Sequence, residues 1–267
     1  ADMALPERYT PAPRRPPTGK KVAVVGAGPA GLNAAYFLAL FGHEVDVYDA
    51  HDAPGGMLRY GIPSYRLPHA VIDAEVETIA HLGVRFHYNR VMGRDFGLAD
   101  LQASHDAVFL GLGAQESSSM MVQGEDLPGV MTAVDFLGAV ARGENVRPGS
   151  RVMVVGGGNS AIDAARTAVR LGADVEIFYR RTRAEMPAWE HEIAEAEADG
   201  VKLRILAAPV KVEPAEKGKL RVTCLRMELG EPDAGGRRRP VPVPGSEFAV
   251  EVDTVIAAIG QKVSGLG

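Results

Sequence analysis

Two short stretches carry the residues able to do chemistry, and both suit the holding of a phosphate rather than acid–base or nucleophilic work. In residues 21–31, KVAVVGAGPAG, an apolar β-branched run breaks into Gly26, Gly28 and Gly31. Such a run reads as a buried parallel strand, and a G-x-G-x-x-G turn after it lets backbone approach a pyrophosphate at the N-terminus of the next helix. The motif alone is a weak signal, so strand, helix and acidic residue must agree around it. They do. Residues 32–41 form a helical stretch apolar nearly all round, which must be buried, and Gly42 closes it. Residues 44–48 read as a second strand, and Asp49 follows 18 residues beyond Gly31. That is close to the roughly 20 expected for a carboxylate that bonds a ribose hydroxyl.

The second stretch copies the first at an offset of 130 residues. Gly26 falls on Gly156, Gly28 on Gly158, Ala35 on Ala165, Gly42 on Gly172 and Val45 on Val175, with Gly31 replaced by the nearly as small Ala161. So many matches at one offset mark an internal repeat. The copies part at the ribose, where Tyr179 stands in place of Asp49 and Arg180 and Arg181 follow. A carboxylate accepts hydrogen bonds from a free ribose and repels a 2′-phosphate, whereas guanidinium groups bind that phosphate. The second site therefore favours NADP(H) over NAD(H); the alternative is that these arginines are merely solvated. One acidic and one basic site suggest two nucleotides, with FAD and NADPH the natural pair. Hydride transfer between them needs position and electrostatics but no protein acid, base or nucleophile. No catalytic side chain and no metal ligand is assigned.

The elements that must position these turns follow from the rest of the chain. Its 267 residues suit two domains, and a formal net charge of −5 gives no invitation to nucleic acid or an anionic membrane. The single cysteine, Cys224, reads as a small buried residue on a strand. It excludes an internal disulfide, a cysteine-based metal or iron–sulfur site, and the redox pair of a disulfide reductase within this sequence. No apolar run approaches the roughly 18 residues of a membrane helix, so a soluble cytoplasmic protein is expected.

Residues 1–19, with Pro6, Pro11, Pro13, Pro16 and Pro17, read as an extended arm. Residues 20–115 form the first domain, with a helix over 69–81 and strands over 84–88 and 107–112 that end in Gly111 and Gly113. Within it, the loop 54–68 holds Gly55, Gly56 and Gly61. It is either a surface connection or backbone reaching a ligand. Residues 116–149 read as a connector containing a helical stretch over 131–141, and residues 150–251 as the second domain. There, strands over 201–206, 220–227 and 248–250 surround a turn-rich loop over 230–245, in which Arg237, Arg238 and Arg239 form an exposed tip. A helix over 186–198 holds Trp189, Glu190, His191 and Glu192. Adjacent helical residues point apart, so these read as a solvated face rather than a metal site. Residues 252–267, with a strand over 254–258 and Gly260, read as a return to the first domain.

Together the segments VAVVGAGPAGL (22–32), GGMLRYGIPSYRLP (55–68), DAVFLGLGA (106–114), VVGGGNSAIDAAR (154–166), YRRTRAEMPA (179–188) and DTVIAAIGQ (253–261) point to a family. The chain resembles the small (beta) subunit of glutamate synthase and its relatives, including matching domains of dihydropyrimidine dehydrogenase and NADPH-dependent ferredoxin oxidoreductases. The resemblance implies an α/β fold like glutathione reductase, with two Rossmann-like dinucleotide-binding domains, the NADPH domain inserted in the FAD domain.

It also implies site residues. Gly26, Gly28, Pro29, Ala30 and Gly31 would line the FAD pyrophosphate, with Asp49 on its ribose, Gly56, Met57 and Arg66 towards the flavin, Met92 at the adenine, and Gly113 in the same site. Gly156, Gly158, Asn159, Ser160 and Ala161 would face the NADPH pyrophosphate, Arg180 and Arg181 its 2′-phosphate, and Gly260 the same cofactor. Family members pass electrons from NADPH through FAD to iron–sulfur centres or a larger redox subunit in a hetero-complex, or in the reverse direction. Two departures stand out: the cysteine-rich region upstream of the arm and the Gly-Asp segment after the last strand are not in this sequence. A part of a longer protein is expected, as the initial alanine also hints; the alternative is an NADP(H)-binding structural or regulatory subunit without a functional flavin.

Overall fold

The computed structural model describes residues 12–232 and 236–263; Pro6 and Pro11 of the expected arm and residues 264–267 lie outside the described residues. The chain divides after residue 115 into two compact units, each with its own core.

The first unit runs β1 (Lys21–Val25), α1 (Pro29–Leu40), β2 (Glu44–Tyr48), α2 (Met57–Tyr60), α3 (His69–His81), β3 (Arg85–His87), α4 (Leu98–Ser104) and β4 (Ala107–Leu110). Its strands form one parallel sheet in the order β3-β2-β1-β4. The apolar run of β1 is buried from Val22 onward because both sheet faces are covered. On one face Leu32, Ala35 and Ala39 of α1 and Ile72, Val76 and Ile79 of α3 pack on Val45 and Val47. Only that stripe of α1 reaches the sheet, so the helix expected to be buried all round leaves Phe37 47% and Phe41 45% exposed. The described part of the arm lies along its end: Arg15 N–H donates to the Leu40 carbonyl (2.8 Å), and the Arg15 guanidinium sits 5.0 Å over the Phe41 ring.

The second unit begins with β5 (Glu116–Ser117), β6 (Val130–Thr132), α5 (Ala133–Ala141), β7 (Arg151–Val155), α6 (Asn159–Arg170), β8 (Asp174–Tyr179), α7 (Glu190–Ala198) and β9 (Lys202–Ile205). It continues with β10 (Ala207–Pro214), β11 (Leu220–Pro232), β12 (Arg238–Pro242), β13 (Phe248–Val252), β14 (Thr254–Ala257) and β15 (Gln261–Lys262). A five-stranded parallel sheet has the order β6-β14-β7-β8-β9, and an antiparallel sheet joins β10, β11, β12 and β13. Cys224 is fully buried between the two sheets among Met153, Phe178 and Val255, and burial pushes its thiol up to about 12.

Three expectations are corrected here. Residues 130–141, read within a connector, supply β6 to the five-stranded sheet and α5 to the core of the second unit. Arg238 and Arg239, read as a loop tip, are exposed but lie on β12, paired with β11. The strand read as returning to the first domain, β14, instead lies between β6 and β7. The reason is that β14 is the second unit's copy of β4, displaced by 147 residues. The Asp106 carboxylate accepts the Lys21 N–H (2.8 Å), and Asp253 likewise accepts the Arg151 N–H (2.8 Å). Gly111 N–H donates to the Val25 carbonyl, and Ala258 N–H to that of Val155, each at 2.8 Å. All four residues of β14 are buried, the environment its apolar run requires.

Beyond β14, β15 pairs antiparallel with β5, Gln261 opposite Ser117 and Lys262 opposite Glu116. The first strand of the second unit thus lies beside the last of its described strands. Each unit is a Rossmann-like α/β unit with a glycine turn at the carboxyl end of its first strand.

Candidate dinucleotide sites

The glycines of the first turn are required for two different reasons. Gly26 leaves β1 at φ +101, and a Cβ there would overlap the Gly111 carbonyl; one on Gly31 would overlap the Gly26 carbonyl. These two are dictated by packing within the chain. Gly28 is not: its φ is −76, and the nearest atom to an added Cβ is the Gly56 Cα at 3.9 Å. A Cβ on Gly28 would thus meet only an ordinary van der Waals contact, so packing within the chain does not require glycine there, and the space beside it lies at the start of α1. No side chain caps α1 and no acidic residue stands in its first turn, so its positive end faces that space. Pro29, Ala30 and Gly31 form that end.

Gly55 and Gly56 are buried, both at positive φ, and a Cβ on Gly56 would come within 2.9 Å of the Gly28 Cα. The glycine pair of loop 54–68 packs against the turn and starts the short helix α2 at Met57. Arg66 is half-buried just beyond, its N–H on the Pro63 carbonyl (2.9 Å). Met92 packs with Phe96 on the other face of the sheet, against Ala23 and Val25. Gly113, at φ +72, is exposed past the end of β4.

Asp49 ends β2 beside the turn. Its carboxylate accepts the N–H of Ala27 (2.6 Å) and of His51 (2.8 Å), with His51 Nδ1 at 3.1 Å. Burial pushes this carboxyl up, but the hydrogen bonds from His51 and Ala27 outweigh it and hold it below the ordinary carboxylate range. Asp49 is therefore charged at neutral pH. Behind it, His51 stacks on Tyr60 at 4.5 Å, and the Tyr60 hydroxyl donates to Asp52 (2.7 Å). Burial and Asp52 together push that phenol up to about 12.

The second turn repeats the arrangement. A Cβ on Gly156 would overlap the Ala258 carbonyl and one on Gly157 would lie 2.6 Å from the Tyr179 ring, whereas one on Gly158 meets nothing nearer than Pro187 Cγ at 3.9 Å. The helix α6 has neither a side-chain cap nor an acidic first turn. Asn159 and Ser160 begin it, and Ala161 is fully buried at the position of Gly31. Gly260 is exposed at φ +106 past β14, as Gly113 is past β4.

Arg180 and Arg181, expected to act as a pair, are separated. Arg180 is exposed at the end of β8, while Arg181 is buried and its Nε donates to the Arg238 carbonyl of β12 (2.8 Å). Adjacent residues in extended chain point to opposite sides, a signal already present in the sequence. Arg183 reaches Glu190 (2.8 Å) and Glu197 (2.7 Å) instead.

The helix expected over 186–198 starts only at Glu190, because Pro187 holds residues 186–189 extended. That segment, missed as part of the site, drapes over the turn: Ala188 N–H donates to the Gly157 carbonyl (3.0 Å) and Trp189 N–H to Asn159 Oδ1 (3.2 Å). His191 and Glu192, expected to point apart, are neighbours, with His191 Nε2 3.6 Å from Glu192 Oε1, and Glu192 is not solvated but buried against Arg166 (3.3 Å).

Two phosphate-ready helix ends, each closing a parallel sheet, define a protein that binds two dinucleotides. The chain belongs to the pyridine nucleotide-disulphide oxidoreductase family, whose pattern matches residues 20–266. It is 49% identical over 252 residues to the NADP(+)-dependent formate dehydrogenase subunit beta of Moorella thermoacetica, covering 91% of this chain and 35% of that protein. To the glutamate synthase [NADPH] small chain of Escherichia coli it is 41% identical over 256 residues, covering 91% of this chain and 54% of that one. The likeness to glutamate synthase small subunits expected from the motifs therefore holds, and the chain spans about a third to a half of these relatives' length. In fold it matches FprA, an oxidoreductase of Mycobacterium tuberculosis, with a TM-score of 0.78 at 24% identity over 94% of this chain and 72% of that one.

Proposed function

We propose that the first unit holds FAD and the second NADPH, and that the protein passes hydride equivalents between them and electrons onward to an iron–sulfur centre or a larger partner subunit in the cytoplasm. The observation that carries this reading is the room in front of Gly28 and Gly158, where a side chain would fit the protein but fill a cradle at a helix N-terminus. Both helix N-termini, uncapped by a side chain and without an acidic first turn, suit a pyrophosphate. When bound, the nicotinamide and flavin supply the redox chemistry, and the residues of this chain bind and orient them.

In the first site Asp49, held as a carboxylate, suits a ribose without a phosphate and repels one that carries it. In the second, Tyr179 is buried with its hydroxyl on the Glu185 carbonyl (2.7 Å), and the exposed Arg180 is the cation available to a 2′-phosphate. Arg181 acts at one remove, tying β12 to the end of β8. Delivery to a partner is supported by relatives whose names are those of a beta subunit and a small chain. Among the described residues no helix is long and apolar enough to cross a membrane.

The test is the visible spectrum of the full protein. A flavin band near about 450 nm that NADPH bleaches without oxygen is expected. A colourless protein that takes up no FAD rejects the reading.

A further inference from the structure

The carboxylate at the end of β2 is gripped by the residue two places further on. Asp49 is buried, and its two oxygens are engaged separately. Oδ2 accepts the Ala27 N–H (2.6 Å), while Oδ1 accepts the His51 N–H (2.8 Å) and lies 3.1 Å from His51 Nδ1. A carboxylate has only lone pairs to offer, so Nδ1 is the imidazole nitrogen that carries the hydrogen. With donors on both oxygens, the group is held against rotation about its Cβ–Cγ bond. The imidazole is braced in turn: its ring stacks on Tyr60 of α2 at 4.5 Å, and the Tyr60 hydroxyl donates to Asp52 (2.7 Å).

The second unit shows that the shared fold does not demand this grip. At the offset of 130 residues His51 falls on Arg181. There Arg181 Nε donates to the Arg238 carbonyl of β12 (2.8 Å), and the Tyr179 hydroxyl takes the Glu185 carbonyl (2.7 Å). The glycine turn and α6 form beside them without an imidazole on the strand-end residue. What His51 adds is therefore particular to the first site.

We propose that His51 is the positioning residue of the first site, its imidazole fixing the Asp49 carboxylate in the orientation from which it accepts hydrogen bonds from the adenosine ribose of FAD. This rests on the assignment of FAD to the first unit with Asp49 at its ribose.

The experiment titrates the full protein, freed of flavin, with FAD and with an FAD analogue built on 2′,3′-dideoxyadenosine, whose adenosine ribose has no hydroxyl to donate. Two variants divide the contacts of the imidazole. His51→Phe keeps a ring for Tyr60 and loses the donor, whereas His51→Asn loses the ring and keeps a donor N–H equally far along the side chain. FAD is expected to bind His51→Phe about three- to tenfold more weakly than wild type, the net worth of one hydrogen bond. It should bind His51→Asn nearly as it binds wild type, and the analogue should bind all three alike. Equal loss of FAD and analogue in His51→Phe overturns the inference, since the imidazole then serves the loop alone. A loss in His51→Asn as large as in His51→Phe overturns it as well, because the ring and not the donor then matters. Unchanged FAD affinity in His51→Phe, with wild type still preferring FAD to the analogue, overturns it and leaves Asp49 at the ribose. Equal affinity of wild type for FAD and analogue removes Asp49 from the ribose, and no uptake of FAD rejects the flavin itself; either overturns the inference along with the reading beneath it.

Discussion

The two glycine turns are copies of one device, and the points where they differ separate what the fold requires from what a ligand requires. Their strands pair in the same register, Val25 opposite Tyr48 and Val155 opposite Phe178. Gly26 N–H meets the Tyr48 carbonyl at 2.7 Å and Gly156 N–H the Phe178 carbonyl at 3.0 Å. Up to the end of the second strand the units are interchangeable. Past it, Asp49 in one is replaced by Tyr179 in the other, and the atom nearest to a Cβ built on the central glycine changes from the Gly56 Cα to the Pro187 ring. Shared geometry thus builds the same turn twice, and the two units differ in the residues just outside the repeat.

The sharpest break in this comparison comes from glycines that pack against the chain. Gly26→Ala and Gly156→Ala meet both a positive φ and a carbonyl, and each is expected to cost its own unit about 2 to 3 kcal/mol in denaturant unfolding. Gly28→Ala and Gly158→Ala should scarcely move stability. Each should instead weaken one nucleotide about ten- to hundredfold, the methyl overpacking against the pyrophosphate, with the other nucleotide untouched in calorimetry. If they destabilise the protein as Gly26→Ala does, the cradles belong to the fold and not to ligands.

Arg180→Ala tests the ribose end. It is expected to weaken NADPH about ten- to hundredfold, as lost charge-assisted hydrogen bonds do, and to leave NADH nearly as it was. Arg181→Ala should loosen β12, seen as faster hydrogen exchange there, with a smaller effect on cofactor choice.

The smallest expected effect concerns acid. Asp46 on β2 and its copy Glu176 on β8 each pair with an arginine of the next strand, Arg85 (2.6 Å) and Arg204 (2.7 Å). Asp46 is the buried one, with His87 Nε2 at 2.7 Å and His105 Nε2 at 3.4 Å. Burial pushes its carboxyl up, but the bonds from Arg85, His87 and His105 prevail and hold it well below the usual carboxylate range. Its folded form therefore favours the charged state. The stability it contributes is present above the ordinary carboxylate pKa and is lost as pH falls further. Acid should loosen the first unit before the second, and Asp46→Asn should flatten the fall in its melting temperature below about pH 4. Identical acid profiles for wild type and variant would remove this asymmetry.

Much of the fold was legible because its signals are local. The repeat, both glycine turns, the helix at His69–His81 and the buried Cys224 follow from period, spacing and punctuation. Strand order was harder, since pairing is set by contacts distant in sequence. The place of β14 could still have been read from Asp106 and Asp253, which head matching D-x-V runs that end in Gly113 and Gly260. The extended cover at residues 186–189 was hidden by an acidic run that looks helical, and Pro187 was the residue to weigh against it. Arg180 and Arg181, alike in the sequence, take different directions because adjacent residues of extended chain alternate sides.

The pairing of β5 with β15 has one more consequence. A body whose first and last strands lie a hydrogen bond apart closes on itself, so setting it into a loop of another protein adds almost no chain entropy to the host. The second unit is in that sense a cassette.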